Sequence, residues 1–476
     1  MLKRLIFSLF FIGTTLVAKV GMGQASVITL EAYLDLVKTQ SPLALQADLA
    51  PRRAAEQQRI ARGGFDPNLY SYFDEKVFKQ KDYFSLSSSG LKIPLPIGEA
   101  KIGYDVNSGS FLNPDATTPS TGLGMLGVSI PLLQGLVTDE RRIALKQANV
   151  GVDMAKNDQK QALTDLLFEA QKAYWDWVQQ AEQQQIIAET YQLSRERLVA
   201  TKQSVTNGDR PAIDTLEQSL ITRQWLIETT NARLRTRAAE LYAMQFLGNR
   251  TNPVNTLTRS PISFQTAETL PYSFGQLNSA QKVDSLRTFA LNATTNNTLI
   301  GLQAYQLKQQ NLSLEQKLKE EKLKPKLTIN YNALAEQFKY GETKYGDFSQ
   351  NYKVGLQFSY PIFTRTERGS LAMTKLKQDE TTFAQDQKRI ELQTKIDLYF
   401  NELQTNLKQI ELYKQQQNDY TRLRDAEVIK YQLGDSNIFM VNSRDTKLLE
   451  AGIKLAELKA KHFKYWATLT WLTTTF

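Results

Sequence analysis

The sequence predicts a mainly α-helical, internally duplicated chain in which short sets of membrane-type β-strands stand between very long helices. Three observations predict it. First, Asp139 to about Thr206 lies in a stretch with no Pro between Pro131 and Pro211 and no Gly between Gly151 and Gly208. It reads as one helix on the order of 100 Å long, far beyond the usual three turns. Second, about Glu367 to Gln432 has the same character. Third, each long helix follows alternating strand-like segments that stop at a proline, Pro131 or Pro361, and each ends at a Gly-Asp turn, Gly208-Asp209 or Gly434-Asp435.

In order along the chain, residues 1–25 have a positive start (Lys3, Arg4), an apolar run from Leu5 to Ala18 and small residues at Gly21, Gly23 and Ala25. That pattern predicts a signal peptide and export. Ile28 to Arg62 looks helical, broken near Ser41-Pro42 and closed by Gly63-Gly64. Asn68 to Phe78, Tyr83 to Ile93, Glu99 to Phe111 and Gly122 to Ile130 alternate apolar with polar residues and predict strands. The long helix follows. Asn207-Gly208-Asp209-Arg210-Pro211 then reverses the chain into a returning helix, Ala212 to about Leu247, because proline is tolerated in a first helical turn and Pro211 sits there.

Residues 249–282, with Pro253, Pro261 and Pro271, read as a linker or small equatorial segment, and the plan then repeats. Val283 to Lys322 is expected to be helical, Lys326 to Ala333 and Tyr352 to Tyr360 to be strands, and Ile438 to Leu472 to return from the second turn. Pro131 to Gly208 spans 77 positions and Pro361 to Gly434 spans 73, so the long helices match within about one turn. The expected units are 1–25, 26–248, 249–282 and 283–476, two structural repeats about a linker. The halves differ in one place. Pro67 to Pro131 spans 64 positions against 36 from Pro325 to Pro361. The surplus, about Gln80 to Ser110, is expected to extend existing strands at the surface, the alternative being a further membrane hairpin.

Helix seams are predicted at Leu163, Ala170, Trp177, Tyr191, Leu198 and Val205, with Leu167, Tyr174, Ala181 and Ala188 beside them, and at Leu392, Ile396, Tyr399, Leu403, Ile410 and Tyr413. Apolar positions at this period describe a coiled-coil stripe. After residue 25 no apolar run reaches the roughly 18 to 20 residues of a membrane helix, so any membrane crossing must use β-strands. Tyr70, Tyr72, Phe73, Tyr83, Phe84, Tyr352 and Tyr360 are candidate interfacial aromatics. Formal charge is +9, or +6 without Lys3, Arg4 and Lys19. Basic residues alternate with acids along the helices, which gives no nucleic-acid footprint.

This order of elements resembles the TolC family of outer-membrane efflux proteins. The resemblance runs from Ile28 to about Thr473. It rests on the junctions Ser129-Ile130-Pro131-Leu132-Leu133-Gln134-Gly135 and Ser359-Tyr360-Pro361-Ile362-Phe363, and on the turn Tyr431-Gln432-Leu433-Gly434-Asp435-Ser436. It implies a homotrimer in outer-membrane lipid, with four strands from each subunit in one 12-stranded β-barrel above a coiled-coil periplasmic tunnel. It further implies a passive exit duct for efflux or type I secretion, with a periplasmic adaptor protein and an inner-membrane transporter as partners. By the same resemblance, Gly208, Asp209, Arg210, Gly434, Asp435 and Ser436 are candidate adaptor-contacting tips. Asp214 and Glu217 are candidate gate acids on one face of the returning helix, and Arg444 a candidate basic partner. Their counterparts in the second half, Met440 and Ser443, carry no charge.

Catalysis finds little support. There is one histidine, His462, no cysteine, and no Gly-rich phosphate loop, so no cofactor or metal site is expected. Trp175 and Trp177 are expected to pack. The alternative reading is an exported coiled-coil structural or adhesive stalk with a β-rich head.

Overall fold

The computed structural model describes residues 26–248, 259–263, 280–336 and 351–474. The expected signal peptide and most of the expected linker lie outside these residues. The first half comprises β1 (Ser26–Ile28), α1 (Leu30–Gln40), α2 (Pro42–Ala47), α3 (Leu49–Gly63), β2 (Asn68–Phe78), β3 (Lys81–Pro94), β4 (Glu99–Ser108), β5 (Leu123–Pro131), α4 (Glu140–Thr206) and α5 (Ala212–Met244). After β6 (Arg259–Pro261), the second comprises α6 (Ala280–Thr295), α7 (Ile300–Glu321), β7 (Lys326–Ala335), β8 (Tyr352–Ser359), α8 (Arg365–Leu433) and α9 (Ile438–Leu472).

Local chemistry sets these boundaries. Asp139 caps α4 by accepting from the Arg142 backbone N–H at 2.7 Å, and Asn437 caps α9 by accepting from Met440 N–H at 3.0 Å. Pro42 opens α2, where its missing N–H costs nothing. The helix expected from Val283 to Lys322 is in fact two, α6 and α7. They part at Asn297, whose φ of 56° is left-handed, a conformation that Asn tolerates better than most residues.

The main core surrounds the middle of α4. Trp175 stacks on Phe463 of α9, with ring centroids 3.9 Å apart and planes 7° apart, and Tyr174, Trp177 and Val178 are fully buried beside them. Trp175 and Trp177 therefore pack, as expected. Buried hydroxyls fasten outlying segments here: Tyr33 donates to the Ala243 carbonyl at 2.6 Å, and Tyr174 donates to that of Ile28 at 2.8 Å. The short parallel pair β1–β6 lies alongside.

The second core joins Leu392, Ile396, Phe400 and Leu403 of α8 to Leu299 and Leu302 and to Leu469 and Leu472 of α9. The predicted α8 seam is thus buried at Leu392, Ile396, Leu403 and Ile410, with Tyr399 and Tyr413 at its margin.

The α4 seam differs from the prediction towards its C-terminal end. Buried positions there are Ile187, Ser194 and Thr201, seven apart and increasingly polar, whereas Tyr191, Leu198 and Val205 are only half-buried. The seven-residue spacing holds, but on a neighbouring stripe.

Candidate functional site

Two features carry the functional argument, a two-faced sheet at one end of the shaft and paired helix turns at the other. The sheet is a six-stranded antiparallel meander in the order β2-β3-β4-β5-β7-β8. This corrects the expectation of four strands per subunit. The surplus residues do not merely lengthen existing strands; they add strands to the same hydrogen-bonded sheet. The physical reason is turn chemistry. Lys79 and Gln80 both adopt positive φ, 50° and 57°, the geometry that closes a two-residue hairpin between β2 and β3. At the opposite end Gly98, at φ 85°, lets β3 turn into β4, and Leu95 N–H reaches the Gly98 carbonyl at 3.1 Å.

Register determines what each face presents, because directly paired residues point the same way. One row across all six strands reads Leu69, Leu91, Ile102, Leu126, Ala333 and Tyr352. The adjacent row, on the other face, reads Asn68, Lys92, Lys101, Gly127, Asn332 and Lys353. The apolar face continues through Val128, Tyr331 and Val354, then Ile329 and Leu356. It is largely uncovered: Leu69 is 80% exposed and Leu356 66%. The polar face lines a recess of about 820 Å³ that runs down to Gln134, Asp139 and Glu321 at the helix junction. An apolar outside and a polar inside, on strands of 8 to 14 residues, fit a barrel wall in lipid.

The register also sorts the candidate aromatics. Phe73 and Tyr352 share the apolar face, but Tyr70, Tyr72 and Phe84 pair with polar-face residues, and Tyr83 occupies the irregularity opposite Lys76 and Val77. Tyr360 lies just past β8. Tyr70 instead covers the side-chain-free patch left by Gly90 and Gly103, and the Lys92 ammonium stands 5.0 Å from its ring centroid.

At the far end both long helices stop in the same way. Gly208 has φ 82°; its N–H reaches the Val205 carbonyl at 3.1 Å and Asp209 N–H reaches that of Ser204 at 2.9 Å. Gly434 has φ 85°, with Gly434 N–H on Tyr431 O at 3.3 Å and Asp435 N–H on Lys430 O at 2.9 Å. These are paired Schellman closures, and glycine supplies the left-handed residue each requires. Gly208, Asp209, Gly434 and Asp435 are exposed.

Arg210 and Ser436 are engaged within the subunit. The Arg210 guanidinium lies 3.7 Å from the Tyr431 ring centroid and donates to the Tyr431 carbonyl, clasping one turn to the other. Ser436 Oγ donates to Glu427 Oε1 at 2.6 Å, while Arg444 Nε lies 3.5 Å from Glu427 Oε2. The Ser436 hydrogen bond, followed by that of Arg444, holds the Glu427 carboxyl below its ordinary range against the opposing effect of desolvation. Arg444 is thus paired with Glu427. Asp214 and Glu217 stand half-buried on the first turns of α5, separate from that pair.

Behind the turns lies a polar interlock that sequence reasoning missed. Gln218 Nε2 donates to the Ser194 carbonyl at 3.1 Å, Ser194 and Thr222 hydroxyls lie 3.0 Å apart, and Asn442 Nδ2 donates to Gln218 Oε1 at 3.2 Å. Arg197 reaches Asn442 Oδ1 at 3.3 Å and forms an ion pair with Asp445. Gln218, Ser194 and Asn442 are buried. Asn442 stands 224 positions from Gln218, so only the seven-residue spacing of Ser194 and Thr201 could have signalled the site.

Residues 299–474 match the family model described as outer membrane efflux protein. The whole fold is similar to solved outer-membrane channels. The CmeC outer membrane channel of Campylobacter jejuni is 12% identical, with 93% of this chain and 85% of that one covered at a TM-score of 0.63. VceC of Vibrio cholerae is 14% identical, with coverage of 94% and 96% and a TM-score of 0.63. The open-state MtrE channel of Neisseria gonorrhoeae is 12% identical, with coverage of 93% and 88% and a TM-score of 0.65. The expected TolC-like fold class, long helices with a sheet, is therefore the observed one apart from the strand count, and the stalk alternative finds no support.

Proposed function

We infer that this chain, which matches the outer membrane efflux protein family over residues 299–474 and has the TolC-like channel fold, is the outer-membrane duct of a tripartite efflux or type I secretion system. The observation that carries the reading is the continuity of a two-faced sheet with helices on the order of 100 Å long. Such a subunit spans lipid with its strands and reaches through the periplasm with its hairpins.

Three subunits close the wall. A single sheet leaves β2 and β8 as edges whose unpaired backbone groups cost several kcal/mol each in hydrocarbon. The edges run antiparallel to one another, since the intervening pairs are all antiparallel and their number is odd. β8 of one subunit can therefore pair with β2 of the next. Six strands from each of three subunits give 18, in the range where barrels enclose an aqueous channel.

In this reading the chain is a passive duct. An inner-membrane transporter supplies the energy, and a periplasmic adaptor docks on the tips through Gly208, Asp209, Gly434 and Asp435. Arg210 and Ser436 shape those tips from within. Asp214 and Glu217 narrow the mouth, and docking biases the hairpins between closed and open packings.

The test is single-channel current from the detergent-purified mature protein in a planar bilayer, with its oligomeric mass measured alongside. A trimer with stable conductance that rises in Asp214→Asn/Glu217→Gln supports the duct and its mouth. Conductance indifferent to that change keeps the duct and removes the acids from the gate; a folded protein that never conducts overturns the reading.

A further inference from the structure

We propose that Lys92, Lys101 and Lys353 form an anion-binding belt inside the barrel, selecting solutes that carry phosphate or clustered carboxylate groups. This proposal rests on the duct reading above. All three lysines lie in one hydrogen-bonded row on the polar face, at one level of the sheet. Lys92 and Lys101 are direct cross-strand partners on strands about 4.8 Å apart, a pairing of like charges that disfavours the fold. Within the fold Lys101 is offset by Glu99 and Lys92 by the Tyr70 ring, and a multivalent anion in the lumen would bridge the two ammonium groups.

The neighbouring rows leave the belt accessible. Towards the outer end, the next polar-face row holds Tyr70, Gly90, Gly103, Met125 and Leu334, with no charge. Towards the helices, the next row contributes one charged group, Glu99, which lies 3.5 Å from Lys101. Asp105, two rows outward, accepts from Ser88 Oγ at 2.6 Å. Lys92 is held over Tyr70 of the next row outward, which keeps its ammonium near the wall. In the proposed trimer the row repeats three times, and because barrel strands tilt, the three lysines of each subunit make an oblique line of ammonium groups on the lumen wall. Charged groups lining a lumen in this way concentrate counter-ions and set selectivity.

The test uses inorganic pyrophosphate as the probe, added to the barrel side of the full-length trimer in a planar bilayer. Current should be blocked in a dose-dependent way. The half-blocking concentration should rise about tenfold when Lys92→Gln, Lys101→Gln and Lys353→Gln are combined, and fall in Glu99→Gln. The Lys→Arg triple variant should retain the block. If the combined Gln variant does not assemble, the three single substitutions carry the comparison, each weakening the block. A conducting trimer that pyrophosphate does not block, or blocks equally in the Gln variants, overturns the belt and leaves the duct intact. Absence of conductance overturns both.

Discussion

The middle of the helical shaft and its tip are the same bundle of helices held by different chemistry. In the middle, Trp175, Trp177, Tyr174 and Phe463 make a dry aromatic core. Near the tip, the equivalent buried positions are Ser194, Gln218, Thr222 and Asn442, joined by hydrogen bonds and flanked by the Arg197–Asp445 ion pair. Apolar packing is non-directional and is lost only by exposing large areas to water. A polar interlock fixes register while the helices touch, yet its groups are readily rehydrated once they part. The shaft is thus held by apolar packing in its middle and by separable polar contacts at the end where the proposed duct would open.

That contrast can be broken most forcefully at Trp175. Trp175→Ala should cost about 3–5 kcal/mol by cavity formation, measured by chemical denaturation of the detergent-solubilised protein. A cost below about 1 kcal/mol would mean that the middle is not the stabilising region. Next in size, Asn442→Leu removes the partner of Gln218 Oε1 and one of the two acceptors of Arg197, which keeps Asp445, and should cost about 1–3 kcal/mol. Its sharper readout is location: hydrogen exchange should accelerate around Ser194 and Gln218 while the amides near Trp175 stay protected. Uniform acceleration along α4 would make the shaft one cooperative unit.

The smallest effect concerns pH. The folded Glu427 carboxyl titrates below its ordinary value of 4.5, so its contribution is fully present above that value and is lost as pH falls through the lower folded value. Acid should therefore loosen the second turn, seen as faster exchange at Tyr431 and Ser436 below about pH 4.5, and Glu427→Gln should abolish that dependence. A tip equally acid-sensitive in the variant would assign the effect elsewhere.

Much of this architecture was legible because its punctuation is local. Pro131, Pro361, Gly208 and Gly434 mark changes of backbone geometry that few other residues permit, and the ends of β5, α4 and α8 fall at or beside such signals. The added strands were less legible as sheet members. Their hairpin turns at Lys79-Gln80, which lacks the Asn and Gly that usually advertise positive φ. The tip interlock was hidden for another reason. Ser194, Gln218 and Asn442 are polar, so an apolar periodicity passes over them, and their pairing is decided by tertiary contact. Arg444 illustrates the same limit: its partner proved to be Glu427, carried by the neighbouring long helix.

The unbroken nearest-neighbour order of the sheet has a further consequence for how such a pore can change size. β2 and β3 form a self-contained hairpin: they leave and re-enter the sheet at the helix end, and β4 starts where β2 started. A hairpin gained or lost at this point preserves the direction of every other strand and the fit between subunit edges. In the proposed ring, pore width is therefore quantised: it changes by one hairpin per chain, repeated in every subunit, without altering the helical shaft below.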